Sequence, residues 1–161
     1  MGNAIKRFKQ SLQNDKDFLK AAEKNDLNEI KRLLKNGVEP DVTKFEFFSW
    51  DWTALHYAAF WNSFDVAFYL INNYNISAES KDLWGWTPLH IAVMNGNIDM
   101  VKLFLECDVD INIKTRISYP KQKNTGKKTP REIAKRYRQW EILELFQKRE
   151  MGIFHESVIL K

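Results

Sequence analysis

The chain has 161 residues and a mass of 19.1 kDa, enough for one domain with a core of useful size, and 44% hydrophobic with 29% charged residues excludes a disordered tail. One cysteine, Cys107, excludes an internal disulfide and a cysteine-rich zinc site, and fits a reducing compartment. Twenty-five Lys plus Arg against 21 Asp plus Glu give +4, and the longest apolar run, Val66–Ile71, is far short of a membrane span.

Met1–Phe8 is charged early and no apolar stretch follows, unlike a secretory signal. Ile5, Phe8 and Leu12 then recur at helical spacing, with Lys6, Arg7, Lys9 and Lys16 around them. This predicts an amphipathic helix over Asn3–Asn14, packed on the first structural unit in preference to a partner. Gly2 is a candidate lipidation site, although the myristoylation pattern wants Ser or Thr where Lys6 stands. One acyl chain anchors only marginally, so Lys6, Arg7 and Lys9 would have to support it.

The middle of the chain repeats itself. Thr53-Ala54-Leu55-His56-Tyr57-Ala58-Ala59 and Thr87-Pro88-Leu89-His90-Ile91-Ala92-Val93 are near copies 34 residues apart. Thr129-Pro130-Arg131-Glu132-Ile133-Ala134 is a weaker third copy, and Phe18-Leu19-Lys20-Ala21-Ala22 opens a unit without the Thr-Pro. Each copy is followed by a second apolar segment: Ile30/Leu33/Leu34, Ala67/Leu70/Ile71, Val101/Phe104/Leu105 and Leu143/Phe146. Thr53, Thr87 and Thr129 suit helix N-caps, and Pro88 and Pro130 suit the first helical position, where no N–H is needed. Asn95-Gly96 breaks one helix before Ile98–Glu106 starts the next, while Gly37 and Asn75 suit left-handed positions after second helices.

These residues identify the chain as resembling the ankyrin repeat family, whose T-P-L-H-x-A signature and period of about 33 are specific. The resemblance covers about Asp17 to Glu150 in four units. Departures are four extra residues near Lys44–Ser49, one near Asn72–Asn75 and nine in Ile111–Lys128. It implies an all-α fold: a solenoid of about four helix-turn-helix units with β-hairpin-like finger loops, one finger enlarged and basic. The implied organisation is a single domain over 1–161. It comprises an N-terminal helix at 1–16, repeats at 17–51, 52–84, 85–126 and 127–150, and a tail at 151–161 that folds back or inserts into a neighbour.

The resemblance also implies that the fingers and first helices form a recognition face and that His56 and His90 hydrogen-bond within fingers. Bulky aromatic residues stand at those places: Phe45, Phe47, Phe48, Trp50 and Trp52 in one finger, Trp84 and Trp86 in the next, Tyr57 and Trp61 on one first helix, and Met94 on another. Rings gain much on desolvation and dominate binding hot spots. The candidate protein-binding residues are therefore Phe47, Trp50, Trp52, Tyr57, Trp61, Trp84, Trp86 and Met94, with Trp52, Trp84 and Trp86 preferred. Lys114, Arg116, Lys121, Lys123, Lys127 and Lys128 form a stretch with no acid among them, an electrostatic surface for an acidic protein partner. Nucleic acid is disfavoured, because no reading motif is present and only Tyr119 and Tyr137 are near to stack on bases.

Catalytic and metal chemistry lack their parts. His56 and His90 are one repeat position used twice, His155 is isolated, and no His pair has metal spacing. Asp108 and Asp110 near Cys107 oppose thiolate formation. Gly126-Lys127-Lys128-Thr129 is not a phosphate loop, since Lys121 and Lys128 stand where Gly and Ser or Thr are required. In the last copy Arg131 and Glu132 replace Leu and His, which predicts exposed charge there. The reading is a non-catalytic, cofactor-free protein-interaction module. It would be a scaffold or accessory subunit of a cytoplasmic assembly, cytoskeletal or ciliary in kind. A membrane adaptor working through Gly2 and the basic N-terminal helix is one rival, and an inhibitor or effector acting on another protein is a second.

Overall fold

The computed structural model describes residues 2–43, 51–116 and 126–154. Its helices are α1 (Gly2–Glu23), α2 (Leu27–Lys35), α3 (Ala54–Trp61), α4 (Phe64–Tyr74), α5 (Pro88–Asn95), α6 (Ile98–Glu106), α7 (Pro130–Arg136) and α8 (Trp140–Glu150). Among the described residues, β structure is limited to an isolated antiparallel bridge between Thr43 and Thr53. The fold is thus all-α, as the repeat signature implies.

The threonines start the helices for the expected reason. Thr53, Thr87 and Thr129 hold extended backbone immediately before α3, α5 and α7, with Pro88 and Pro130 just inside. Thr87 Oγ1 accepts from the His90 N–H at 3.4 Å, and the Thr87 N–H donates to His90 Nδ1 at 3.2 Å. The Thr53 N–H donates to His56 Nδ1 at the same distance, 3.2 Å. In the last pair Glu132 replaces the histidine. Its Oε2 accepts from the Thr129 N–H at 2.9 Å, while Thr129 Oγ1 accepts from the Glu132 N–H at 3.2 Å. The charge that the sequence placed at the surface is therefore also a cap. Arg131 is half-buried and pairs with Glu150.

The turns repeat as well. Each first helix is followed by one left-handed residue: Asn25 (φ 55°), Asn62 (φ 58°), Gly96 (φ 71°) or Arg138 (φ 56°). After the second helices come Gly37, Asn75, Asp108 and Gly152, again at positive φ. Asn25 does more than turn. Its Oδ1 accepts from the Val66 N–H at 3.1 Å and its Nδ2 donates to Asp65 at 2.9 Å, which ties the first turn to the start of α4.

Residues 1–76 and 77–161 form two compact units. In the first, α1 packs on α2 and α3, α3 on α4, and α2 on α4. Ala21, Ala22, Ala58 and Ala59 are buried and let α1 and α3 approach closely, while Phe18, Ile30, Leu33, Leu55 and Leu70 fill the space between layers. In the second unit α5 packs on α6 and α7, α7 on α8, and α6 on α8, around Leu89, Met100, Leu103, Phe104 and Phe146. Each such large side chain contributes about 1.5–3 kcal/mol on burial.

At the N-terminus Asn3–Asn14 is helical, as the spacing predicts, and two points differ: the helix does not end there but runs unbroken to Glu23 as α1, and this leading part is not packed on the first unit. Residues 4–13 are all exposed, with Ile5 at 56%, Phe8 at 65% and Leu12 at 47%. Nothing between Asn3 and Glu23 breaks a helix, since Gly and Pro are absent there. Gln10 bonds Asn14 and Gln13 bonds Asp17, each at 2.9 Å and four residues apart, so the polar stretch continues the helix. Burial begins only at Phe18, where α2 and α3 provide a surface.

Candidate protein-binding site

The finger before α5 is built around a buried acid. Asp82 Oδ1 accepts from the Trp84 N–H at 2.9 Å and from the Trp86 N–H at 2.8 Å, and Asp82 is only 5% exposed. The Asp82 N–H donates to the Trp86 carbonyl and the Gly85 N–H to the Asp82 carbonyl, both at 2.9 Å. Gly85 has φ +77°, and a Cβ there would lie 2.9 Å from the Arg116 backbone nitrogen and from its Cγ. That close approach is used, because the Arg116 N–H donates to the Trp84 carbonyl at 2.6 Å. A glycine is needed for both reasons.

This turn separates the two tryptophans. Trp84 is half-buried. Trp86, expected as a preferred contact, is 6% exposed and its ring is tilted against His90 with centroids 5.8 Å apart. Trp86 is therefore core, and Trp84 and Met94, also half-buried, are the candidate contacts that the second unit presents.

His90 fastens this finger to the base of the long basic one. Its Nε2 lies 3.0 Å from the Ile113 carbonyl and 3.2 Å from the Lys128 carbonyl. Carbonyls only accept, and Nδ1 already accepts from Thr87, so the neutral ring carries its proton on Nε2. Burial, helped by the charge of Lys81 and opposed by the two carbonyl bonds, pushes the His90 pKa down to about 4. The two ends of the long finger are also paired directly. The Thr115 N–H donates to the Lys128 carbonyl and the Lys128 N–H to Thr115 Oγ1, each at 3.0 Å. Lys114, Arg116 and Lys127 are exposed at this base and Lys128 is half-buried. Lys121 and Lys123 lie outside the described residues, as do Phe47 and Trp50.

The first unit holds its own aromatic group. Half-buried Trp52 stacks on His56 (centroids 6.2 Å apart, planes at 18°) and meets Tyr57 edge-on at 5.3 Å. Phe60 lies 5.4 Å from Trp52 and 5.2 Å from Trp61, which is 53% exposed. Tyr57, half-buried, lines a cleft between α3 and α1 with Gln13, Lys16, Asp17, Lys20 and Glu23. These rings satisfy one another in part and still leave an edge at the surface.

Asp82 and Thr115 do not stand out in the sequence as functional residues. A signal for Asp82 is nonetheless present: an acid followed by Gly85 and Thr87 at fixed offsets, the pattern of a side chain that accepts from turn amides. The last hairpin also exposes Trp140 (69%) and Tyr137 (42%). Burial, more than its acidic neighbour Glu106, pushes the Cys107 thiol up to about 11, and its Sγ donates to the Leu103 carbonyl at 3.2 Å. Among the described residues no three His, Cys, Asp or Glu side chains gather as a metal site, and no helix is long and apolar enough to cross a membrane.

A family model of ankyrin repeats in three copies matches residues 18–115. The 26S proteasome non-ATPase regulatory subunit 10 of Dictyostelium discoideum is 35% identical over 105 residues, covering 65% of this chain and 44% of that protein. An ankyrin repeat protein of Rickettsia felis is 36% identical over 92 residues, covering 56% of this chain and 29% of its own. One of Rickettsia bellii is 23% identical over 178 residues, covering 93% and 74%. The chain thus spans less than half the length of the first two of these relatives. The family match takes in α2 to α6 and most of the unit-opening segment of α1, and α7 and α8 repeat the same cap and turn beyond it. With this match and these caps and turns, the chain belongs to the ankyrin repeat family.

Proposed function

We propose that this chain is a non-catalytic protein-binding module, a scaffold or accessory subunit of an assembly in the cytoplasm. The observation that carries the reading is the finger before α5. A buried carboxylate, a left-handed glycine and a cross-finger hydrogen bond together fix the backbone around Trp84, which is half-buried. A rigid, part-exposed Trp is what a binding hot spot requires. Trp52, Tyr57 and Trp61 offer a comparable surface on the first unit, and Met94 adjoins the second. Lys114, Arg116, Lys127 and Lys128 favour an acidic partner beside the long finger. The Dictyostelium relative is by its name a regulatory subunit of a larger assembly, which supports an accessory role here.

The two finger tryptophans give a test with a built-in contrast. Trp86→Ala removes a buried ring and is expected to cost about 3 kcal/mol or more of stability. Trp84→Ala and Trp52→Ala are expected to cost about 1 kcal/mol, with the melt still cooperative. Proximity pull-down from native cells, read by mass spectrometry, should recover a stoichiometric partner with the wild type and lose it with Trp52→Ala/Trp84→Ala. Equal recovery with both would return these rings to internal packing.

A further inference from the structure

We propose that the exposed N-terminal half of α1 is a lipid-binding element that lies in the plane of an anionic membrane surface. This is independent of the finger surfaces and requires no acyl chain on Gly2. Three features carry it.

The first is an apolar stripe that no described residue covers. At about 100° per residue, Ile5, Phe8 and Leu12 fall within about 60° of one another on the helix, and all three are exposed. The second is where the charge sits. Lys9 lies about 70° to one side of the stripe's centre, and Lys6 and Arg7 about 130° to either side, on the same count. Gln10 and Asn14 take the opposite face and bond each other at 2.9 Å. Lys9 at one shoulder of a narrow stripe can snorkel to headgroups while the apolar residues enter below it, and Lys6 and Arg7 on the polar face add attraction to an anionic surface. The third is sign. Lys6, Arg7 and Lys9 stand with no carboxylate before Asp15, so the surface that complements this segment is anionic. A second copy of α1 laid parallel and in register would set Lys9 beside Lys9, and an enclosing protein groove would bury the three cations. A planar anionic surface leaves them at the water boundary.

The test is flotation of the full chain with large unilamellar vesicles of phosphatidylcholine carrying about 30% phosphatidylserine, against phosphatidylcholine alone. Binding to the anionic vesicles is expected to exceed that to neutral ones by about fivefold or more at low salt, and to fall away near 0.5 M salt as screening shortens. Phe8→Glu/Leu12→Glu and, separately, Lys6→Glu/Arg7→Glu/Lys9→Glu should each abolish it without moving the thermal melt, because these side chains are exposed. Reversal of Lys114, Arg116, Lys127 and Lys128 should leave it intact. Absent flotation, or binding lost with the second charge set and kept with the first, overturns the proposal. So does a wild-type dimer on size-exclusion that Phe8→Glu/Leu12→Glu disperses, with no vesicle binding, which assigns the stripe to a second copy. Loss of a captured protein partner on Phe8→Glu/Leu12→Glu, again with no flotation, assigns it to a protein groove.

Discussion

Acidification from pH 7 to pH 4 is expected to remove up to about 3 kcal/mol of stability through His90 alone. The folded ring has a pKa of about 4 against an ordinary 6.5. Above pH 6.5 both folded and unfolded chains hold His90 neutral, and it contributes no slope. Between 6.5 and 4 the unfolded chain takes up a proton that the folded chain refuses, so stability falls as pH falls. Below 4 both states are protonated and the slope from this group ends. The refusal is physical: burial disfavours the cation, and a proton on Nδ1 would displace the Thr87 N–H that now donates there. Urea melts of the wild type and His90→Gln at pH 7.5, 6.5, 5.5 and 4.5 check this. The variant is expected to be weaker at pH 7.5, by about 2 kcal/mol for the carbonyl and amide partners it serves less well. Its deficit should shrink as the pH drops, because only the wild type loses the His90 contribution. A constant difference across the range would contradict the assignment. Because the added proton goes to Nδ1 and Nε2 keeps its own, the same titration should weaken the Thr87 cap of α5 and leave the carbonyl bonds to Ile113 and Lys128 in place.

Asp82→Ala is the second large effect. The carboxylate accepts two backbone N–H groups in a position only 5% exposed, and its removal leaves both without that acceptor. Amides stripped of a partner cost about 1–3 kcal/mol each, so the two together lose about 2–6 kcal/mol. Asp82→Asn keeps an acceptor oxygen and should retain more than half of the stability that Asp82→Ala loses. Gly85→Ala should be costly by a different route, because φ +77° and the Arg116 backbone 2.9 Å away both oppose a Cβ. Near-UV circular dichroism reports the consequence for Trp84 and Trp86: Asp82→Ala should lose tryptophan signal before helical signal on heating. Coincident loss of the two would show that the finger and the helices melt as one and that Asp82 has no local role.

How much of the fold and the site is legible in the sequence varies with the kind of interaction. Thr53, Thr87, Pro88, Thr129 and Pro130 announce helix starts because capping is local, and the caps lie where the residues stand. Gly37, Asn75 and Gly96 announce left-handed turns for the same reason. Arg138 and Asp108 take that conformation with no such announcement, carried by the packing of the repeat around them. The continuity of α1 is hidden because Gln13–Lys16 is polar and resembles a boundary, although a polar segment with i,i+4 side-chain bonds continues a helix readily. Trp84 and Trp86 look alike in sequence, as two residues apart on one extended strand share a face. Gly85 at φ +77° breaks that alternation, Trp86 is buried while Trp84 is half-buried, and Arg116, 31 positions from Gly85, bonds the Trp84 carbonyl at the turn. That long-range partner leaves no trace in local spacing.

The measurement that tests the central claim most directly is hydrogen-exchange footprinting of the chain, alone and with the partner recovered by proximity pull-down. A module that binds through its fingers and first helices should gain protection on adding the partner at residues 82–86 and along α3 and α5, with α4 and α6 unchanged. Protection confined to α2, α4, α6 and α8, with residues 82–86 exchanging as in the free chain, would contradict the account and place the interface on the second helices.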